Sequence, residues 1–302
     1  MKTLNLFVFI ILFSVSKIFS QQLPEITLEY YNNLILNPAF AAYKIYDKTV
    51  FFQHKQLWTG INEAPTLQYL CGSMFINNYV GIGTKFFNFK TGLFNRQGIE
   101  LSYGVRFKVS ENDLMSLGFS AVLYQLNFDK SKVKIYENFD KVISESRDNA
   151  IYPDFNFGML YYNDNFFIGL SVMQLLNNSS NLFNEKLENK QVRHYYAQFS
   201  TKYELLDFYI LAPYVNFRFV NKEIWQGKIS LLNRIYNSFE IGLGYKTSKE
   251  FSISFVYNNN TIIAGYNYDI PFHDIKKHTA GSHEIIFGYN FGKAKNKTLL
   301  SN

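Results

Sequence analysis

The sequence predicts an all-β protein: a transmembrane, antiparallel, up-and-down β-barrel of about 14 strands with both termini periplasmic. Three observations carry that expectation. Apolar residues recur with a period of two from Thr49 onward. The links between the periodic runs are short at alternate positions, and every long link falls in the other set. After Gln22 no apolar run is long enough to cross a bilayer as a helix, so any spanning element has to be a strand. Composition agrees. The 302 residues include 31 Phe and 23 Tyr but only two Trp, and charged residues make up 18%, against about 25% in ordinary globular domains. So many rings must be buried or placed in lipid, which excludes a disordered chain. One Cys excludes a disulfide framework and any Cys-built zinc or iron-sulfur centre. The net charge of +6 is spread along the chain without a basic block, so no nucleic-acid partner is expected.

The elements follow in chain order. Residues 1–20 read as a secretory signal peptide, with Lys2 ahead of an apolar run from Leu4 to Val15 and a small residue, Ser20, before Gln21-Gln22. No Cys follows that run, which argues against a lipid anchor. Residues 21–48 form an N-terminal segment in the periplasm or in the lumen, with a turn at Asn37-Pro38. Residues 49–292 form the outer-membrane barrel, with strands near 49–57, 66–75, 79–89, 97–109, 114–127, 153–162, 166–173, 192–204, 208–219, 225–233, 239–246, 251–257, 261–268 and 282–291. Residues 293–302 are a polar, basic tail.

Alternation is clearest where Ile99, Leu101, Tyr103, Val105 and Phe107 interleave with Glu100, Ser102, Gly104, Arg106 and Lys108. The same holds for Val215, Phe217 and Phe219 against Asn216 and Arg218. Burying Glu100, Arg106, Lys108, Arg218, Glu240 and Lys246 unpaired in a soluble sandwich would cost several kcal/mol per ion. A polar, water-filled lumen avoids that cost, so lipid is assigned to the apolar face and arginine at Ser102 or Asn216 is expected to be mild. The links after even-numbered strands (Ile76–Asn78, Ser110–Asp113, Asn163–Asn165, Leu205–Asp207, Asn258–Asn260) are short. The long ones, Phe128–Tyr152, Gln174–Gln191 and Asp269–Gly281, all follow odd-numbered strands, which is the parity of periplasmic turns and external loops.

Catalytic and metal-binding patterns are missing from the sequence. The five histidines, His54, His194, His273, His278 and His283, show no H-x-x-x-H or H-E-x-x-H spacing. Ser282-His283-Glu284 has triad-like composition, but on a strand His283 faces opposite to its two neighbours, which breaks a relay. There is no phosphate loop. The alternate glycines Gly81/Gly83 and Gly242/Gly244 read as space-making on one barrel face. No enzyme activity, cofactor or metal is expected.

Several segments resemble one family. Asn37-Pro38-Ala39-Phe40-Ala41 is similar to the "NPAFAG" box of PorP/SprF outer-membrane proteins of type IX secretion. Gln53 to Gly60 followed by Ala64-Pro65-Thr66 resembles its "RQQWxG…GAPxT" segment. Pro153 to Gly158 with Ile168 to Ser171, Arg193 to Tyr196, and Gly265 to Asp269 with Gly281 to Ile285 resemble its central and closing strands. The matches run in order from about residue 30 to 291. Ala42, His54-Lys55 and Asn62-Glu63 depart from the family pattern. The resemblance implies a non-enzymatic outer-membrane accessory that works with periplasmic ring or motor components of type IX secretion and with a secreted cargo protein, for example a gliding adhesin. The candidate docking residues are Asn37, Pro38 and Phe40 in the box, Trp58, Gly60, Ala64 and Pro65 in the first loop, and Gly281, Ser282, His283 and Glu284 at the start of the last strand. A passive outer-membrane pore or small-molecule transporter is the contrasting expectation.

Overall fold

A computed structural model describes residues 25–43, 48–132, 149–178, 191–220, 224–236, 238–259 and 261–292. The expected signal peptide at residues 1–20, most of the two long links within 128–152 and 174–191, and the tail 293–302 lie outside them. Period-two alternation produces fifteen strand segments: β1 (Lys48–Gln56), β2 (Thr66–Phe75), β3 (Val80–Thr91), β4 (Phe94–Lys108), β5 (Leu114–Phe128), β6 (Asn149–Tyr162), β7 (Phe166–Met173), β8 (His194–Thr201), β9 (Tyr203–Leu206), β10 (Tyr209–Phe219), β11 (Trp225–Ile235), β12 (Phe239–Lys246), β13 (Glu250–Asn258), β14 (Ile262–Pro271) and β15 (Ser282–Phe291). Segments β8 and β9 both pair with β10 and are parted only by Lys202, so they form one stave. The wall therefore has the fourteen staves expected. Each pairs antiparallel with its sequence neighbour, and β1 pairs with β15 to close the cylinder. Closure removes the free edges that an open sheet of this size would expose.

The two faces divide as the alternation requires. Leu101 is 62% exposed on the outside, while its neighbours Glu100 and Ser102 are 1% and 5% exposed on the inside. Leu123, Phe217, Ile229, Phe255 and Phe287 continue the exposed apolar belt, which suits hydrocarbon rather than water. Among the described residues no helix is long and apolar enough to cross a membrane.

Lys48 sits opposite Phe291, so the barrel begins and ends at one rim. That rim carries only tight links, including residues 109–113, where Ser110 Oγ donates to Asp113 at 2.7 Å and Asn163 Nδ2 at 2.9 Å. These bonds hold the Asp113 carboxyl below its usual range. The other rim carries residues 57–65 and 272–281, together with two tight turns at 92–93 and 247–249. The wall is taller on one side than expected: β4 starts at Phe94 rather than 97, and β6 at Asn149 rather than 153. The extra turns bury rings inside the cylinder. Tyr124 stacks on Tyr152 at 5.2 Å, and Phe94 on Phe128 at 5.2 Å, a packing that no pairwise alternation signals.

Leu101→Arg is expected to impair membrane insertion, because a cation near the midplane of a barrel's lipid face costs about 2–4 kcal/mol. Folding yield in lipid vesicles, read as heat-modifiable mobility on a gel, checks it, and wild-type yield would refute the lipid assignment. The mild outcome expected at Ser102 and Asn216 is corrected. Both are 5% exposed, and Asn216 Nδ2 donates to Glu29 at 3.1 Å. The space they face is already filled by protein.

Candidate functional site

That filling is the N-terminal segment. Residues 25–43 lie inside the barrel as three short 3-10 turns, Glu29–Tyr31, Asn33–Ile35 and Pro38–Ala42, and nearly every side chain is buried. The segment runs from the long-link rim, where Thr27 meets β14 and β15, to the short-link rim, where Tyr43 packs on Tyr162 at 4.8 Å and Phe40 on Phe167 at 5.4 Å.

The lower half of this plug is built from the Asn37–Ala42 box. Asn37 caps the third turn, its Oδ1 accepting from Ala39 N at 2.9 Å with Pro38 at the first position. Its Nδ2 donates to the backbone oxygens of Met159 and Leu170 at 3.2 and 3.3 Å. The wall meets this turn with glycine. Gly81, Gly104, Gly118 and Gly158 stand directly opposite one another on β3, β4, β5 and β6. A Cβ at Gly104 would lie 2.9 Å from Ala42 N, and those at the other three would run into Ala41, Ala39 and Asn37. Four aligned positions without side chains thus let the plug backbone lie on the sheet. Ser116 Oγ to Ala39 O at 2.8 Å and Ser171 Oγ to Leu36 O at 2.6 Å satisfy backbone acceptors beside this track.

The upper half is held by charge. Lys55 Nζ lies 2.7 Å from Asp269 and 3.3 Å from Glu284, and Lys246 Nζ lies 2.7 Å from the same Asp269 oxygen. Glu284 accepts from the backbone N–H groups of Thr27 and Leu28 at 2.7 and 2.9 Å, and Asp269 accepts from Thr27 Oγ1 at 2.9 Å. Lys228 pairs with Glu29 of the plug, Arg234 with Glu240 at 2.8 Å, and Tyr31 donates to Glu240 at 3.0 Å. The water-filled lumen expected for these inward charges is therefore corrected: burial of Glu100, Glu240 and Lys246 is tolerable because Lys85, Arg234 and Asp269 pair with them, buried Arg218 is hydrogen-bonded to Gln226, and Arg106 and Lys108 are not buried.

The candidate docking residues separate into two groups. Asn37, Pro38 and Phe40 are sealed between plug and wall, and Ser282 and Glu284 face the lumen at 2% and 0% exposure, so none of these five offers a surface to a partner in this conformation. Trp58, Gly60, Ala64, Pro65 and His283 are at least partly accessible, whereas Gly281 is buried. Thr59 N donates to Gly281 O at 2.7 Å and Ala280 N to Thr59 O at 2.8 Å, while Trp58 N donates to Ser282 Oγ at 3.1 Å. The loop carrying Trp58, Gly60, Ala64 and Pro65 is thereby stitched to the one ending at Gly281. Gly281 has a φ of 89°, and a Cβ there would sit 2.7 Å from Asp269 O, so only glycine fits. His283 faces outward, as alternation requires, stacked on Tyr268 at 5.1 Å and bonded through Nδ1 to Tyr266 OH at 2.6 Å. Among the described residues no cluster of His, Cys, Asp and Glu forms a metal site. Sequence reasoning missed the glycine track and the latch formed by Lys55, Lys246 and Asp269. The alternate glycines were visible, but their alignment across four strands depends on register.

A family profile described as "Type IX secretion system membrane protein PorP/SprF" matches residues 18–289. No curated protein matches in sequence. Among solved structures, the Ralstonia pickettii toluene transporter TbuX is similar at 9% identity, over 85% of this chain and 93% of that one, with a TM-score of 0.52. A deltaS2S3 mutant of the TodX monoaromatic hydrocarbon channel is similar at 8% identity, over 85% and 94%, with a TM-score of 0.52. The Pseudomonas putida toluene transporter TodX is similar at 9% identity, over 86% and 94%, with a TM-score of 0.49. At such identities the likeness is one of fold.

Proposed function

The chain belongs to the PorP/SprF family of type IX secretion system membrane proteins, and from that premise we propose that it is an outer-membrane accessory docking a secreted surface protein, for example a gliding adhesin, or the periplasmic secretion ring. In this reading the short-link rim faces the periplasm, the long-link rim faces outward, and no catalysis or cofactor is involved. The observation that supports it best is the plug. A lumen filled from Thr27 to Tyr43 by paired charges and packed rings presents surfaces rather than a passage, which speaks against a passive pore.

The docking surface we favour is the rim formed by Trp58, Gly60, Ala64 and Pro65, which the buried Gly281 holds in place through its carbonyl. Trp58 is half-buried and its backbone is held at a φ of 45°; its indole Nε1 is buried without a hydrogen-bond partner among the described residues. Protein contacts concentrate their energy in such aromatic anchors, at about 2 kcal/mol or more each. Trp58→Ala is expected to leave the barrel heat-modifiable while weakening partner retention about thirtyfold, since about 1.4 kcal/mol is a factor of ten. The measurement is the surface level of the co-exported protein beside the gel mobility of the barrel, with tags at 59–63 and 163–165 to report which rim is labelled on intact cells. Unchanged cargo with a folded barrel rejects docking through Trp58, and labelling of only the 163–165 tag rejects the orientation.

A further inference from the structure

On the tall side of the wall the outward face changes character at a fixed register. Phe52, Leu70, Phe86, Ile99 and Leu123 stand side by side across β1 to β5, each between 37% and 49% exposed. Two residues further toward the long-link rim, the outward row reads His54, Gln68, Asn88, Gln97 and Gln125. The row beyond it is Gln56, Thr66, Lys90, Asn95, Asn127 and, on β6, Asn149. Eight of these eleven positions are Asn or Gln, none is acidic, and Lys90 is the only permanent charge.

Neither lipid nor water alone calls for such rows. Barrels meet the headgroup level with aromatic girdles, and surfaces that face only water are rich in charge of both signs. Following the same register past β1 gives Ile285 and His283 on β15, then Tyr266 and Tyr268 on β14. The amides are therefore one patch and not a ring around the barrel. They engage one another loosely. Asn88 Nδ2 donates to Gln68 Oε1 and Gln97 Nε2 to Gln125 Oε1, both at 3.4 Å, and Gln125 Nε2 donates to Asn127 Oδ1 at 3.2 Å. Each carboxamide has two N–H donors and an oxygen with two lone pairs, so these bonds use only part of its capacity. The result is an uncharged array about 20 Å long with its rows about 7 Å apart. It complements hydroxyl groups, which also donate and accept.

Below it, on the same strands, the lipid face is hollow. The register row Val50, Gly72, Thr84, Leu101 and Ala121 places three small residues outward, and they line an open, mainly apolar groove of about 710 Å³. We propose that array and groove together bind a glycolipid of the outer leaflet, its sugars on the amide rows and an acyl chain in the groove. The assignment to that leaflet rests on the outward placement of the long-link rim. A free saccharide would leave the groove unfilled, and a phospholipid would leave the amides unused. Their alignment on β1 to β5 selects a lipid that carries sugar.

Native mass spectrometry of the purified full barrel, offered dioleoyl digalactosyl glycerol and dioleoyl phosphatidylglycerol at equal concentration, reads which lipid is kept. The glycolipid is expected to be favoured about tenfold. Asn88→Leu with Gln97→Leu is expected to remove that preference, the loss of a pair of neutral hydrogen bonds, and to leave phosphatidylglycerol unchanged. Gly72→Leu, whose Cβ would meet its nearest neighbour at an ordinary 3.6 Å, fills the groove and is expected to weaken both lipids a few-fold. These side chains point out of the barrel, so normal heat-modifiable mobility is expected, and Gln125→Ala replaces the double variant if that one does not fold. No preference for the glycolipid in the wild type overturns the sugar site. An equal preference in wild type and amide variants overturns the role of the rows, with loss of the co-exported surface protein marking them as a protein contact instead. Undiminished binding by Gly72→Leu overturns the groove, and displacement of the glycolipid by free melibiose at the same concentration overturns a lipid ligand. The measurement does not depend on which rim faces out, so a failure here and a failure of the orientation in the tag experiment are told apart.

Discussion

Gly118→Leu is expected to expel the plug and open the lumen. The new side chain would occupy the space of Pro38 and Ala39, and the contact is with backbone, which cannot swing aside as a side-chain tip can. Overpacking a tight contact costs about 1–3 kcal/mol, and the same displacement strips Ser116 Oγ of Ala39 O and Asn37 Nδ2 of its two carbonyls. The wall is spared, because Gly118 pairs through its backbone with Gly104 and Gly158 and those ladders do not involve a side chain. The expected result is a barrel of normal gel mobility that is silent in planar bilayers as wild type and steadily conducting as the variant. A variant that stays silent, with unchanged resistance of the N-terminal segment to protease, would show that the track tolerates bulk and does not seat the plug.

The second large effect is expected at Asp269. Its carboxylate is shared by Lys55 and Lys246, both at 2.7 Å, and accepts from Thr27 Oγ1 and from Asn267 Nδ2 at 2.8 Å. Asp269→Asn keeps the volume and removes the charge, leaving Lys246, among the described residues, with the Glu250 ion pair at 3.1 Å. Breaking a buried pair from one side costs about 3–5 kcal/mol, so the temperature at which the barrel loses its compact gel mobility should fall. Lys246→Met combined with Asp269→Asn is expected to recover part of that loss, since residues that touch are not additive. If the double variant is as damaged as the sum of the single ones, the two charges are not coupled and the latch is misread.

The wall was legible in the sequence because period-two alternation and link parity are local signals. Each strand announces its own faces, and Leu101 against Glu100 needs no partner to be read. The contents of the wall were not. Residues 25–43 carry no long periodic pattern, and what makes them a plug is complementarity with residues far away in sequence: Thr27 with Glu284, Asn37 with Met159, Glu29 with Lys228. The inward charges were visible, but a charge facing a lumen looks the same from the sequence whether water or a counter-ion meets it. Likewise the Asn37–Ala41 box stood out by resemblance and suggested a surface, whereas its burial follows from four glycines on separate strands. The Trp58–Pro65 loop and the start of β15 were named only as separate candidates, and their contact was not legible, since the bonds that join Thr59 to Gly281 run between loops with no shared periodicity.

The plug also gives the molecule a line of mechanical continuity. The chain enters at the long-link rim near Thr27 and passes down the lumen to the foot of β1, which is itself zipped to β15 along nine residue pairs. A pull applied at Glu25 away from Tyr43 would run along the line of the plug, from one rim toward the other. It would load the Glu284 and Asp269 contacts, the Lys228 pair and the bed of glycines in parallel, as a shear shared by many bonds rather than a peel that breaks them one at a time. Such a member behaves as a tension strut, passing force from one rim to the other without requiring the staves to bend.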